Sequence, residues 1–132
     1  MEISTIETAI RNSWDKATCN PVERTHWISS RPYMGQGVPT SLTLQDYFGG
    51  EIAFNRELRH VWNILPDGSE VDLTREQFAP DYWITPDGVL SRDELLQGKI
   101  ATAADSVIRY AILKNRVALK LMLNTEQDSL QG

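Results

Sequence analysis

Two residues of this chain, His60 and Asp72, could share a proton if a hairpin brings them to one face. His60 stands in the run Leu58-Arg59-His60-Val61-Trp62-Asn63, which reads as a strand, so His60, Trp62 and Ile64 project from one face. Pro66-Asp67-Gly68 is a strong hairpin turn signal, and residues 70–74 read as the return strand. If the turn is a three-residue loop, Leu65 pairs with Ser69 and Trp62 with Asp72. Asp72 then lies diagonal to His60 on the same face, where a carboxylate can orient an imidazole as a general base. A four-residue loop would place Asp72 opposite Asn63, on the other face, and the pair would not form. The alternative role for these residues is a strand histidine satisfied by a neighbour, with Asp72 capping the turn at residues 74–77.

A second stretch could supply the other half of a site. Residues 35–50 read GQGVPTSLTLQDYFGG, a short helix with Pro39 in its first turn, Leu42, Leu44, Tyr47 and Phe48 on its apolar face, and Gly49-Gly50 as its stop. Its N-terminal end, with unpaired N–H groups and the positive end of the helix dipole, faces back toward Gly35-Gln36-Gly37. Other chemistry has little support. His26 lies in a loop beside Trp27, and two histidines with one cysteine form neither H-x-x-x-H nor C-x-x-C, so no metal is expected. Gly35-x-Gly37 lacks the strand and third glycine of a dinucleotide fingerprint and no G-K-[ST] is present, so no cofactor is expected.

The elements that must position these residues follow from periodicity. Ser4-Thr5-Ile6-Glu7 has the form of a capping box, and Ile6, Ala9, Ile10 and Trp14 follow at helical spacing, predicting a helix over 5–18 that ends at Asn20-Pro21. Residues 21–34 read as an ordered loop pinned by Trp27. Three strands, at 51–54, 58–65 and 70–74, form a small antiparallel sheet. Residues 75–90 read as mostly loop, with a helical turn near 75–78 and a second Pro-Asp-Gly turn at 86–88. Ser91 to Glu94 is a second capping box, opening a short helix stopped by Gly98. The longest helix is predicted over 102–123, with Val107, Ile108, Ala111, Ile112 and Leu119 as its apolar stripe and Arg109, Lys114, Arg116 and Lys120 on other faces. Trp14, Trp27, Trp62 and Trp83 are expected as core and loop anchors.

The whole is an α+β fold in one domain over 1–123, with a polar, flexible tail over 124–132. A length of 132 residues suffices for one core, and the 41% hydrophobic and 23% charged composition is that of a soluble globular protein. A formal net charge of -5 argues against a nucleic-acid partner. The lone cysteine, Cys19, allows no internal disulfide, and with no signal peptide and no apolar run that could span a bilayer, a cytoplasmic protein without membrane contact is expected.

The same residues carry a resemblance. Gly35-Gln36, Thr40-Ser41-Leu42, Gln45-Asp46-Tyr47-Phe48-Gly49-Gly50-Glu51-Ile52, His60-Val61-Trp62-Asn63, Asp67-Gly68, Val71-Asp72-Leu73-Thr74, Gln77-Phe78, Arg109-Tyr110, Leu113 and Arg116-Val117, in this order, resemble the small bacterial YunG-like family. The resemblance implies a compact relative of the papain and transglutaminase fold, in which a cysteine at a helix N-terminus meets a histidine and an aspartate on the sheet. A thiol in that setting has a lowered pKa, and the helix N–H groups can hold an oxyanion. Carried over, His60 is the general base, Asp72 its orienter and Gln36 lies near the oxyanion site. The cysteine position, however, is Gly37, which has no side chain to act as nucleophile. Thr40 and Ser41 lie a helical turn further on, and Cys19 ends the first helix, so neither is expected to replace it.

Three readings follow. The first is a nucleophile-less pseudoenzyme that binds a peptide or small ligand between Gly37 and His60, with Gln36, Gly37, Trp62 and Asn63 as ligand contacts. A second is a non-covalent acid/base enzyme, a lyase, isomerase or hydrolase, using His60 and Asp72. The third is a protein-interaction or inhibitory module whose old site is only structural.

Overall fold

The computed structural model describes the backbone of residues 1–131 and side chains through Thr125. The first helix, α1, spans Ile3–Arg11 and buries Ile6, Ala9 and Ile10. It starts earlier and stops earlier than the periodicity predicts. Ser4 lies inside the helix and caps nothing, and Ser13 turns its hydroxyl back onto the Ala9 carbonyl at 2.7 Å. Trp14 leaves the helical path and donates its indole N–H to Thr40 Oγ1 at 2.9 Å.

Residues 12–36 then run as turns to helix α2, Gly37–Phe48. Within them the indole N–H of Trp27 donates to the Pro32 carbonyl at 3.1 Å, so this tryptophan closes its own loop. Helix α2 ends at Gly49, whose φ of 72° ordinary residues avoid. It is the central element. One side buries Leu44 with Ile6, Ile10, Trp14, Leu73, Leu113 and Val117, joining α1 to the last helix. The other buries Val38 and Leu42 with Ile52, Val61, Leu95 and Ala103, against the sheet.

The antiparallel sheet comprises β1, Glu51–Asn55, β2, His60–Ile64, β3, Glu70–Val71, and β4, Gly88–Leu90, in the order β3-β2-β1-β4. The β2–β3 register pairs Asn63 with Val71 and Ile64 with Glu70, and the Leu65 N–H donates to the Ser69 carbonyl at 2.8 Å. Pro66-Asp67-Gly68 is therefore the three-residue loop. Strand β2 begins later than expected because Arg59, with a φ of 53°, belongs to the turn before it. Strand β4, read from the sequence as loop, pairs Leu90 with Ile52 along the free edge of β1. Three residues are too few to display a period of two.

Helix α3, Arg92–Leu96, opens on the expected cap, with the Glu94 N–H donating to Ser91 Oγ at 3.1 Å. Helix α4 spans Ser106–Gln131. The expected flexible tail over 124–132 meets helical backbone as far as Gln131; Gly132 and the side chains after Thr125 lie outside the described residues.

The orientation of α4 reverses the expected one. Val107, Ile108 and Leu119 are 58%, 63% and 56% exposed, while Arg109 is buried beside Leu113 and Val117. The reason lies in the loops beneath. Arg109 donates to the carbonyls of Thr18, Thr102, Ala104 and Gly35 at 3.1, 2.9, 2.8 and 3.0 Å, groups that burial would otherwise leave unsatisfied. Trp83, expected as an anchor, is 85% exposed. Among the described residues no helix is long and apolar enough to cross a membrane.

Candidate functional site

The β2–β3 register puts Trp62 opposite Asp72, and His60 diagonal to it. The ring nitrogen Nε2 of His60 lies 2.7 Å from Asp72 Oδ2. Asp72 makes two contacts at once. Its Oδ2 takes the imidazole, while Oδ1 accepts from the Thr74 N–H at 3.3 Å and so caps the turn that follows β3. With Asp72 as the acceptor, a neutral imidazole carries its proton on Nε2 and its lone pair on Nδ1, a tautomer assigned from the hydrogen bonds.

That Nδ1 lies close to the start of α2. A Cβ built on Gly37 would stand 3.7 Å from His60 Nδ1, 3.7 Å from Thr74 Oγ1 and 3.5 Å from the Val61 carbonyl, ordinary van der Waals contacts. Beside it lies a cleft of about 70 Å³ lined by Gly35, Gly37, His60, Gln77 and Phe78, with Glu23 and Arg59 also on its wall. The first-turn N–H groups of Gly37 and Val38 have no earlier helical carbonyl to meet.

Gln77 completes the arrangement. Its amide nitrogen lies 3.3 Å from His60 Nδ1 and 3.1 Å from Thr74 Oγ1, so it donates to the same lone pair that faces Gly37. Phe78 meets the imidazole edge-on at 4.8 Å between centroids, and Trp62 stacks on its other side at 5.5 Å. His60 is thereby buried and held on all sides. In the sequence Gln77 and Phe78 stood out only as part of the turn after Asp72 and of the run that carries the family resemblance, with no role at the site. A polar residue in the capped turn directly after Asp72 was the signal that could have singled out Gln77.

The four expected ligand contacts separate. Gly37 lines the cleft. Trp62 donates its indole N–H to Glu70 Oε1 at 2.9 Å and faces a surface hollow on the Asp72 side, away from Gly37. Gln36 is fully buried and spends its amide N–H on the Asp15 carbonyl at 3.0 Å. Asn63 lies on the opposite face of β2 and donates to the Ser41 carbonyl at 2.9 Å, tying the strand to α2.

Cys19 offers no substitute nucleophile. It is completely buried, and desolvation, with the nearby charge of Glu23, pushes its thiol up to about 11, so at neutral pH it stays protonated. Among the described residues no group of three His, Cys, Asp or Glu is placed to hold a metal ion.

Fold and site define an α+β domain in which the N-terminus of a central helix meets a histidine–aspartate pair on an antiparallel sheet. The family model described as "YunG protein" matches residues 2–122, and the chain belongs to the YunG family. No curated protein and no solved structure matches it.

Proposed function

We propose that this chain is a nucleophile-less member of a cysteine-hydrolase-like fold, related to the papain and transglutaminase architecture, that binds a peptide end or small ligand group between Gly37 and His60. One observation carries the reading: a Cβ built on Gly37, at a helix N-terminus where a side chain would fit and none is present, would stand 3.7 Å from His60 Nδ1, the ring nitrogen that Asp72 does not hold. The volume sets the scale of the ligand. A cleft of about 70 Å³ accepts an amide, a hydroxyl or a short side chain rather than a whole metabolite, which would need several hundred Å³. A group seated there would meet Nδ1 and Gln77 on one side and the α2 N–H groups on the other.

Substituting Gly37→Cys tests the geometry. The new thiol is expected to titrate well below the roughly 8.5 of a free cysteine, because an imidazole and a helix N-terminus both favour the thiolate. Alkylation by iodoacetamide followed against pH reads this directly, with Cys19 as the internal unreactive thiol. A thiol at Gly37 that titrates like free cysteine would sink the reading. The intact His60–Asp72 pair also supports acid/base turnover of the bound group, without a covalent step. In the natural chain, His60→Ala separates the two: loss of turnover with the ligand still bound favours catalysis, and loss of binding alone favours the binder.

A further inference from the structure

The outward face of α4 is largely apolar from Val107 to Leu123. At 100° per residue, Val107, Ile108, Ala111, Ile112, Asn115, Ala118, Leu119, Met122 and Leu123 fall within one broad arc centred on Asn115. Val107, Ile108, Leu119, Met122 and Leu123 are each more than half exposed, between 54% and 63%. Among the described residues this arc holds no charge; Lys114 and Arg116 stand at its margins, and Arg116 is engaged with Asp15 at 2.9 Å. Near Met122 the face runs into a shallow apolar groove bordered by Tyr47 and Leu121. A helix that buries an arginine and exposes its aliphatic side chains has two apolar-competent faces, and the described residues cover only one of them.

We infer that a second copy of this chain covers it, the two α4 helices packing their outward faces together about a two-fold axis. Three features favour a copy. Each half-exposed aliphatic side chain leaves roughly 100 Å² of apolar surface in water, so two faces together would bury on the order of 1,000 Å², the lower edge of a specific interface. Asn115 lies midway between Val107 and Leu123, so it meets its own counterpart whether the two helices run parallel or antiparallel. A carboxamide carries both donors and acceptors and is complementary to itself, and a lone asparagine in an apolar helix seam sets register and stoichiometry. A lipid surface would suit the face less well: the arc contains no aromatic residue, and its central amide would lie in hydrocarbon without a partner. Ala111 and Ala118 flank the centre and let two helix backbones come close.

Sedimentation equilibrium of the full chain tests this. The expected result is a mass rising with concentration through the micromolar range to twice the 15.0 kDa of the chain. The double substitution Ile108→Glu with Met122→Glu should hold the mass at that of one chain with an unchanged circular dichroism spectrum. Val22→Glu, at a residue 75% exposed elsewhere, should leave association intact. Asn115→Cys should form an interchain disulfide under mild oxidation, which buried Cys19 cannot supply, and this outcome decides the matter even if the double variant fails to fold. A monomer at every concentration, a dimer indifferent to the double substitution, or absence of the Asn115→Cys crosslink would overturn the inference. So would a monomer that cosediments with vesicles of phosphatidylcholine and phosphatidylserine.

Discussion

At Gly35 the backbone and its surroundings both demand glycine. Its φ is +70°, and a Cβ there would approach Cys19 Sγ to 2.5 Å. Gly35→Ala is therefore expected to lose about 2–4 kcal/mol, part from the left-handed backbone and part from the clash. In the Cys19→Ala background the loss should shrink by the clash portion only, which urea titration of the four variants measures as a coupling energy. Equal losses in both backgrounds would show that the thiol does not press on this loop. Two positions along, Gly37 makes no such demand, since its φ is ordinary and its surroundings accept a Cβ. The His60–Asp72 pair was legible in the sequence up to a single residue of loop length, because a slip of one reverses every side chain of β3. The Leu65–Ser69 pairing settles that register. Gln36 and Asn63 were legible as polar residues near the site, but periodicity does not tell a polar side chain that contacts a ligand from one that satisfies a buried carbonyl.

Helix α4 shows how an element can be read correctly in kind and wrongly in face. Its apolar stripe predicted the buried side, yet the guanidinium of Arg109 is what the interior receives, held by four loop carbonyls and with no carboxylate in ion-pair contact among the described residues. Desolvation pushes its pKa down to about 10, so it remains a cation at neutral pH. Arg109→Met should cost about 3–5 kcal/mol, since it strands the carbonyls of Thr18, Gly35, Thr102 and Ala104. Arg109→Lys should recover only part, because three donors on one nitrogen cannot span four carbonyls on separate loops. Chemical denaturation checks both; a loss under about 1 kcal/mol for Met would mean that water replaces the guanidinium. A residue that satisfies distant backbone groups leaves no periodic trace, which is why pattern alone placed it outside. The same limit hid β4, whose three residues are defined by the edge of β1 they pair with.

For the molecule as a whole, the α+β class and the central place of residues 37–48 were legible, because helix punctuation and hairpin signals are local. The layering was not, since it depends on ties between distant segments. One such tie joins the turn after α1 to α4: Arg116 Nη1 lies 2.9 Å from Asp15 Oδ1 and also donates to the Ser13 carbonyl at 2.9 Å. Burial raises the Asp15 carboxyl, but the hydrogen bonds from Arg116 and the Ala17 N–H and the charge of Arg116 outweigh it and hold the group below its ordinary 3.8. Its folded value lies under its unfolded one, so the linked stability is full above pH 4 or so and is lost as pH falls through the folded value. Asp15→Asn should lower stability at pH 6 by about 0.5–1 kcal/mol, discounted for an ion pair this exposed, and flatten the loss on going to pH 3. Thermal melts at the two pH values measure it; parallel shifts in both proteins would remove Asp15 from the acid response.

The unforced glycine at position 37 has a consequence in the language of the genetic code. Glycine codons GGT and GGC differ from the cysteine codons TGT and TGC by one base. Because the backbone at Gly37 is ordinary, that base change would set its Cβ in ordinary van der Waals contact with its neighbours. Glycine in a helical turn is also less favourable than alanine by about 1 kcal/mol, so folding stability does not hold it in place. Under the proposed reading, a ligand-binding protein and a thiol-bearing relative are neighbours in sequence space, one mutational step apart on a scaffold that already accommodates both.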